Sequence, residues 1–482
     1  MSQLLCDTPI KGSSPPVVHI PREIRQSNKV SEAYGAALDE HGSVIIVPRH
    51  GRNEYVIDPR YAHEVLTDTK NFIFETAVFD RLHLGLLPLS DKETLITGID
   101  SLVKRNVQPQ LDAIIEQILP VLQSYFANMA NDIRSLSGDS KFVEISDVCH
   151  KLQLAVAHAM VVMILGQEHA SSKTATHFGM VAAGMAKMTG LNENIDEWTM
   201  FPRLWILFTG LSAVFFTIIP TFFFGIAPML WRSRKIHLEK GLAARHGDFV
   251  PLFDILLTRH YHEKSGLAAV RGFLQSAVAC VTLIFASIHQ TGVMSTWILV
   301  KLAQMQDDYL PAIREEWESV NSDGGTLTVK KLSQLTLLDS FIREVMRTKG
   351  DLWGPLRYTT RAIRIGPYVL PKNALCFVLV SRAHSNPDEA FDGFRWHKQG
   401  RRAVQGSPEF LTFSLGKWAC PGRQLAVHEI KILLYMFFSK FDVKLKEGSF
   451  RIIDPINTTS IAPEATLLLR LRKDDSSIEI SI

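Results

Sequence analysis

Two long stretches of this chain carry no charged side chain at all. Leu204 to Trp231 and Gly272 to Val300 each lack Asp, Glu, Lys and Arg. Each exceeds the roughly 20 residues that span a bilayer. A chain with two such runs must cross lipid or hold a core large enough to hide them. Composition favours the second solution. Of 482 residues, 46% are hydrophobic and 21% charged, a globular balance with ample core material. The net charge of +3 excludes a nucleic-acid binder, whose basic excess is larger and clustered. Met1 to Pro21 is polar and proline-rich, without the apolar segment of a signal peptide. The five cysteines are odd in number, scattered and without C-x-x-C spacing. A disulfide framework or structural zinc is therefore not expected, and reduced thiols facing a cytosol are.

Periodicity places helices in the middle and strands near both ends. GSVIIVP and EYVID, within residues 42–61, read as short strands bounded by Gly, Pro and Asp. From about Thr94 to Gln167 the pattern is helical. Leu111, Ile114, Ile115, Ile118 and Leu122 recur at three and four and share one face. Helical patterning continues through most of residues 272–347. Strand signals return at 368–370, 375–380 and 466–471, with Pro371, Lys372 and Asn373 reading as a hairpin turn. One mainly α unit with small sheets is expected over 1–482: a β-rich portion at about 40–65 and a helical core at about 94–350.

FSLGKWACPGR, residues 413–423, precedes the strongly helical QLAVHEIKILLYMFF. Pro421 suits a first helical turn, which would set the Cys420 sulfur at a helix N-terminus. The dipole and free N–H groups there favour a thiolate and a lowered pKa. Gly416 and Gly422 permit a tight loop close to a flat partner. Such a sulfur is either a nucleophile or a metal ligand, and the loop holds no His to act as a base.

The same loop resembles the haem-binding loop of the cytochrome P-450 family, with Phe413, Gly416, Cys420 and Gly422 matching F-x-x-G-x-[R/H]-x-C-x-G. The resemblance implies haem b with Cys420 as axial ligand, whose thiolate pushes electron density toward O–O cleavage. It departs at Trp418, where the family carries Arg or His. SFIREVMR and FDGFRW supply Glu344, Arg347 and Arg395, which match the family's structural Glu-Arg-Arg network. Arg357 falls at the place of a propionate-binding arginine. The oxygen-side helix departs further. At Ala286 to Thr291, His289 takes the acid position and Gln290 the threonine position, with Thr291 next. Gln290 holding a water is expected to replace the hydroxyl relay.

By the same resemblance the fold is mainly α with small sheets, haem lying between two long helices. The implied activity is oxidation of a hydrophobic small molecule with O2 and NADPH-derived electrons. NADPH-cytochrome reductase is the implied donor, with cytochrome b5 as a second one. Lys398, Arg401, Arg402, Lys417 and Arg423 would form its docking face. SFIREVMR, FASIHQT and ACPGR look most like fungal members of specialised metabolism, often terpenoid-modifying. A haem-thiolate isomerase or dehydratase, needing no external electrons, is the alternative. A transporter would explain the two apolar runs without haem. Candidate pocket residues are Phe79, Leu82, Phe285, Leu352, Trp353 and Ile461. The run at 272–300 becomes the family's central helix. The run at 204–231, flanked by Arg203, Arg232, Arg234 and Lys235, becomes the membrane contact on the cytosolic face of the endoplasmic reticulum. An unspliced insertion is the other origin of such a run. Pro220 and Pro228 argue against one straight spanning helix.

Overall fold

The computed structural model describes residues 12–49, 51–88, 90–137, 141–190, 201–240, 249–260, 266–385 and 390–472. Cys6 and most of the polar N-terminal stretch lie outside them. The middle of the chain is helical. Its axis is the 39-residue helix Gly266–Gln304, referred to below as the central helix. Gly292 shows why its nearest neighbour, Val148–Leu165, can come so close. A Cβ at position 292 would collide with Gln153 on that neighbour. Val148–Leu165 is apolar enough to cross a membrane, yet 72% of it is buried inside the protein. Around this pair pack Leu111–Ser137, Ser172–Met188, Thr336–Thr348 and Arg423–Lys440. A single apolar cluster runs through all of them, from Leu84 to Leu471.

Among the described residues, three small sheets flank the helices. The largest orders its strands Val44–Arg49, Arg52–Ile57, Leu375–Leu379, Trp353–Thr359 and Phe72–Ile73. Arg52–Ile57 pairs in parallel with Leu375–Leu379, Ile57 opposite Val378. Trp353–Thr359 pairs antiparallel with the same strand, Arg357 opposite Cys376. This pairing corrects the expected hairpin at 371–373. Tyr368–Leu370 pairs with Ile363–Ile365 instead, and Leu375–Leu379 enters a different sheet. Asn373 has a φ of 62°, left-handed backbone that an Asn tolerates, so the segment turns the chain from one sheet to the next. Leu467–Leu471 sits between Phe441–Leu445 and Val143–Ile145 in the third sheet.

The second apolar run forms an outer helix, and its prolines do not break it. Pro202–Ala213, Ile219–Thr221 and Ala227–Lys240 are α-helical. Val214–Ile218 and Phe222–Ile226 between them are π-helical. Each π segment contains the residue four before a proline, Phe216 for Pro220 and Phe224 for Pro228. That is the carbonyl a proline ring would strike in an α-helix. Widening the turn removes the clash and the need for the missing N–H.

The π segments also set the register. Leu207-Phe208, Phe215-Phe216 and Phe223-Phe224 are all exposed and recur every eight residues, with Trp231 following. In an α-helix, eight residues overshoot two turns by about 80°, so three pairs would wind around the axis. A π turn absorbs about one extra residue and returns each pair to one side. The opposite side, Val214, Ile218, Phe222, Ile226 and Leu230, is buried. It lies against Ser172–Met188, where a Cβ at Gly184 would press on Ile218 and Thr217.

Candidate active site

Cys420 sits in a loop whose shape comes from its own backbone. The Cys420 N–H donates to the Phe413 carbonyl at 2.8 Å, and Ser414 N–H to Leu411 at 2.8 Å. Ala419 N–H donates to Gly416 at 3.1 Å. Gly416 has φ 69°, where a side chain would be strained. A Cβ there would also press on Leu66 and Thr67. Helix Arg423–Lys440 begins two residues later than expected, capped by Gly422. Pro421 therefore lies in the turn before the helix and not in its first turn.

The expected lowering of the thiol pKa is corrected as well. Burial raises it, outweighing the N–H groups of Gly422 and Arg423 and the Arg423 charge, which all favour the thiolate. Two backbone donors are aimed at the sulfur, but a cation closer than Arg423 is needed to hold it ionised. Cys420 is only partly buried, and a Cβ at Gly422 would meet nothing within 4 Å beyond its own stretch of chain.

Arg357 is the clearest sign of what completes the site. Its side chain is 1% exposed. It donates only to carbonyls, Leu356 at 2.8 Å and Leu66 at 3.2 Å. Burial pushes its guanidinium down to about 10, with the Glu75 charge acting the other way. Among the described residues no carboxylate reaches hydrogen-bonding distance of it. A buried cation without a counter-charge is costly and is suited to an incoming carboxylate such as a haem propionate. Its guanidinium lies 5.0 Å from the Phe74 ring, whose other neighbour is Trp418, stacked at 5.1 Å. Trp418 thus places a buried, uncharged ring on this side of the loop, and the positive charge there belongs to Arg357.

The second half of the site is a buried polar knot beneath the loop. Glu344 and Arg347 lie one turn apart on Thr336–Thr348 and pair bidentately, at 2.7 and 2.9 Å. Trp396 Nε1 donates to the same carboxylate at 2.8 Å and Asp392 N–H at 3.2 Å. Glu344 therefore takes four donors and is fully satisfied. Arg395 is looser, 3.6 Å from Glu344, and donates to the Ala390 carbonyl at 2.7 Å. Arg347 continues to the His384 carbonyl at 2.9 Å.

Sequence reasoning missed Trp396 and Arg343. Arg343 is fully buried between the rings of Phe410, 3.7 Å away, and Trp396, 4.8 Å away. It donates to the carbonyls of Arg402 and Gln405 at 2.7 and 2.6 Å, fastening the turn that precedes the cysteine loop. The available signal was a second arginine inside SFIREVMR. Lys104 was also missed. It bonds the Lys417 carbonyl at 2.9 Å and pairs with Asp100 at 2.8 Å.

On the central helix, Ala286 is exposed and Ser287 and Gln290 partly so, within otherwise buried sequence. These positions share a face, and that face is not covered by other parts of the protein as the rest of the helix is. Gln290 Nε2 donates to Ser460 Oγ at 3.2 Å. His289 is buried. Its Nε2 lies 3.0 Å from the Ser460 carbonyl and its Nδ1 3.4 Å from Gln153 Nε2. A carbonyl can only accept, so Nε2 carries the proton and Nδ1 accepts. Burial holds the ring neutral, its pKa pushed down to about 4 against the effect of the Ser460 bond. Thr291 is buried and lies about 100° around the helix from Gln290. Of the pocket candidates, Phe285 stacks on His289 at 5.9 Å. Phe79 and Leu82 pack at the edge of the main cluster. The Ile461 carbonyl accepts from Trp297 at 3.2 Å. Leu352 instead lies in the N-terminal cluster with Tyr34 and Ile456, and Trp353 stacks edge-on to Tyr34.

The sequence profile of the cytochrome P450 family matches residues 15–469. The chain belongs to the cytochrome P450 family. Members bind haem through a cysteine thiolate, and the buried Arg357 and the open side of the Cys420 loop fit that group. Curated relatives agree. The chain is 30% identical over 249 residues to Cytochrome P450 monooxygenase BOA7 of Botryotinia fuckeliana, covering 45% of each chain. It is 32% identical over 211 residues to Cytochrome P450 monooxygenase 71 of Postia placenta, covering 40% and 41%. A plant relative, Cytokinin hydroxylase of Arabidopsis thaliana, is 28% identical over 246 residues, covering 50% and 46%. The chain spans about half the length of the curated relatives it matches.

Proposed function

We propose that this cytochrome P450 is a haem-thiolate monooxygenase that oxidises a hydrophobic small molecule, of terpenoid type, with O2 and electrons from NADPH. The observation that carries the reading is the buried, carboxylate-free Arg357 beside an open cysteine loop. Cys420 would ligate the iron of haem b, and Arg357 would hold a propionate. Bound haem supplies dioxygen activation and oxygen-atom insertion into a C–H bond.

The protein's own residues do the rest. Phe413 and Gly416 fix the sulfur, and Glu344, Arg347, Arg395 and Trp396 brace the loop from beneath. Gln290 stands on the uncovered face of the central helix with its amide N–H held by Ser460, so its Oε1 is the atom free to hold a water and move a proton. His289, neutral and bonded on both nitrogens, positions Ser460 and does not act as an acid. Electron delivery from NADPH-cytochrome reductase, with cytochrome b5 as a second donor, would use the face carrying Lys398, Arg401 and Lys417, all exposed. Arg402 and Arg423 are turned inward to the carbonyls of Ser333 and Cys420, so they contribute less to that face. The exposed aromatic side of the outer helix, flanked by Arg203, Arg232, Arg234 and Lys235, would rest in the headgroup region of a bilayer, on the cytosolic face of the endoplasmic reticulum.

The deciding experiment reduces the purified, haem-loaded protein under carbon monoxide and looks for the red-shifted thiolate band. Cys420→Ser should abolish it while retaining pigment. Product from a terpenoid panel should require reductase and NADPH. Gln290, in place of a hydroxyl, favours one second reading, an electron-independent isomerase or dehydratase; turnover without NADPH would select it.

A further inference from the structure

A cavity of about 460 Å³ opens where the outer helix meets the N-terminal hairpin, and its walls are of two kinds. One wall is apolar, with Phe79, Leu86, Ile206 and Leu207. The other presents Arg52, Arg81 and Arg203. Arg49 stands just behind, buried against Glu54. Among the described residues Glu54 is the only carboxylate that pairs with any of these four arginines; Asp80 also lines the cavity and makes no ion pair with them. Glu54 is itself divided between Arg52 at 3.3 Å and Arg49 at 3.7 Å. Arg203 is tied through Nη2 to the Gly51 carbonyl at 2.7 Å, which fixes it at the mouth without neutralising it. Arg81 makes no side-chain hydrogen bond or ion pair with a described residue. Desolvation pushes its guanidinium down to about 10, with Arg49 and Arg52 adding to the fall and Glu54 opposing it.

We infer that this cavity receives the anionic head of an amphiphile, the carboxylate of an apolar acid, with its tail along Phe79, Leu86 and Leu207. Planar guanidinia recognise carboxylates through paired, charge-assisted bonds, and the apolar wall gives the attached hydrocarbon somewhere dry to lie. Leu207 belongs both to this wall and to the exposed face of the outer helix. An amphiphile dissolved in lipid would therefore meet the cavity directly. The inference rests on the monooxygenase reading only in treating the acid as a substrate; binding itself does not depend on it.

The test titrates the haem-loaded full chain with dodecanoate and with dodecan-1-ol by isothermal calorimetry at low salt. The acid should bind about tenfold tighter than the alcohol, and the gap should narrow at high salt. Arg81→Gln should close the gap while leaving the alcohol's affinity unchanged. Arg203→Gln, at an exposed position, should narrow it without risk to the fold. Equal binding of acid and alcohol by the parent overturns the inference, as does an acid preference that survives both substitutions. Phosphatidylserine and phosphatidylcholine vesicles form the other arm. Arg81-dependent binding to the anionic vesicles, with no acid preference in solution, overturns it in favour of a lipid headgroup. The carbon monoxide band, recorded on the same samples, tests the haem site separately. An acid preference without that band leaves this cavity standing and removes the monooxygenase.

Discussion

The central helix and the outer helix start from the same sequence signature, a run of about 28 residues without charge, and end in opposite places. In the central helix 56% of the most apolar window is buried; in the outer helix the figure is 33%. Their polar and aromatic content separates them. The central run carries Ser276, Thr282 and Thr296, whose hydroxyls return to carbonyls of their own helix, and His289, which finds Ser460. The hydroxyls are satisfied by the helix itself, whereas the His289 ring finds its partners only inside the protein. The outer run carries six phenylalanines, and five of them point outward, Phe216 being 81% and Phe224 87% exposed. Hydropathy reports that a run avoids water. Small residues and the direction of the large ones report what it chooses instead.

The sharpest way to break the comparison is to remove an interior polar partner. Glu344→Ala strands the buried Arg347 and should cost about 3–5 kcal/mol, read as loss of haem-loaded protein and a fall in Tm. Gly292→Ala tests the close approach of the central helix to Val148–Leu165 and should cost about 1–3 kcal/mol in denaturant unfolding. If it is silent, that contact is not tight.

The pH dependence is smaller and has a fixed sign. His289, His384 and His428 are each held neutral by burial, with pKa values pushed down to about 4. Unfolded, each takes up a proton near pH 6.5. The unfolded chain therefore binds more protons between pH 4 and 6.5, and stability falls as pH falls through that window. His289→Gln should flatten the slope of unfolding free energy against pH by about 1–2 kcal/mol over the window. An unchanged slope would show that His289 is charged in the fold. The smallest effect on stability belongs to the outer face. Phe216→Ser with Phe224→Ser should change unfolding by no more than about 0.5 kcal/mol, while binding to vesicles drops. A large stability loss would mean that this face is covered by protein.

What the sequence made legible was chemistry with fixed spacing. Cys420 between its glycines, Glu344 and Arg347 one turn apart, and Arg357 each need a particular side chain at a particular step; the geometry pairs Glu344 with Arg347 and buries Arg357 against carbonyls. Trp396 and Arg343 were hidden because their partners come from distant segments, and a tryptophan or a second arginine has no spacing of its own. The strand Trp353–Thr359 was hidden by its Gly354-Pro355 pair, which reads as a turn. In the fold, a Cβ at Gly354 would collide with Val380, and the strand shifts register at this pair. Pro220 and Pro228 misled for a similar reason. A proline forbids an α turn, and the chain answered with a π turn and not a break.

Those two widened turns make the outer helix a ratchet with removable teeth. Removing the cause of one of them, as in Pro220→Ala, would let Val214–Ile218 tighten toward α-helix with no residue lost, while leaving hydropathy and composition almost untouched. Everything C-terminal to that turn would swing about 100° about the axis, carrying Phe223, Phe224 and the basic cluster at 232–235 away from the plane they now share with Phe215. Turn type in this segment therefore encodes orientation, and a single substitution would put the aromatic side out of line while leaving the cysteine loop untouched.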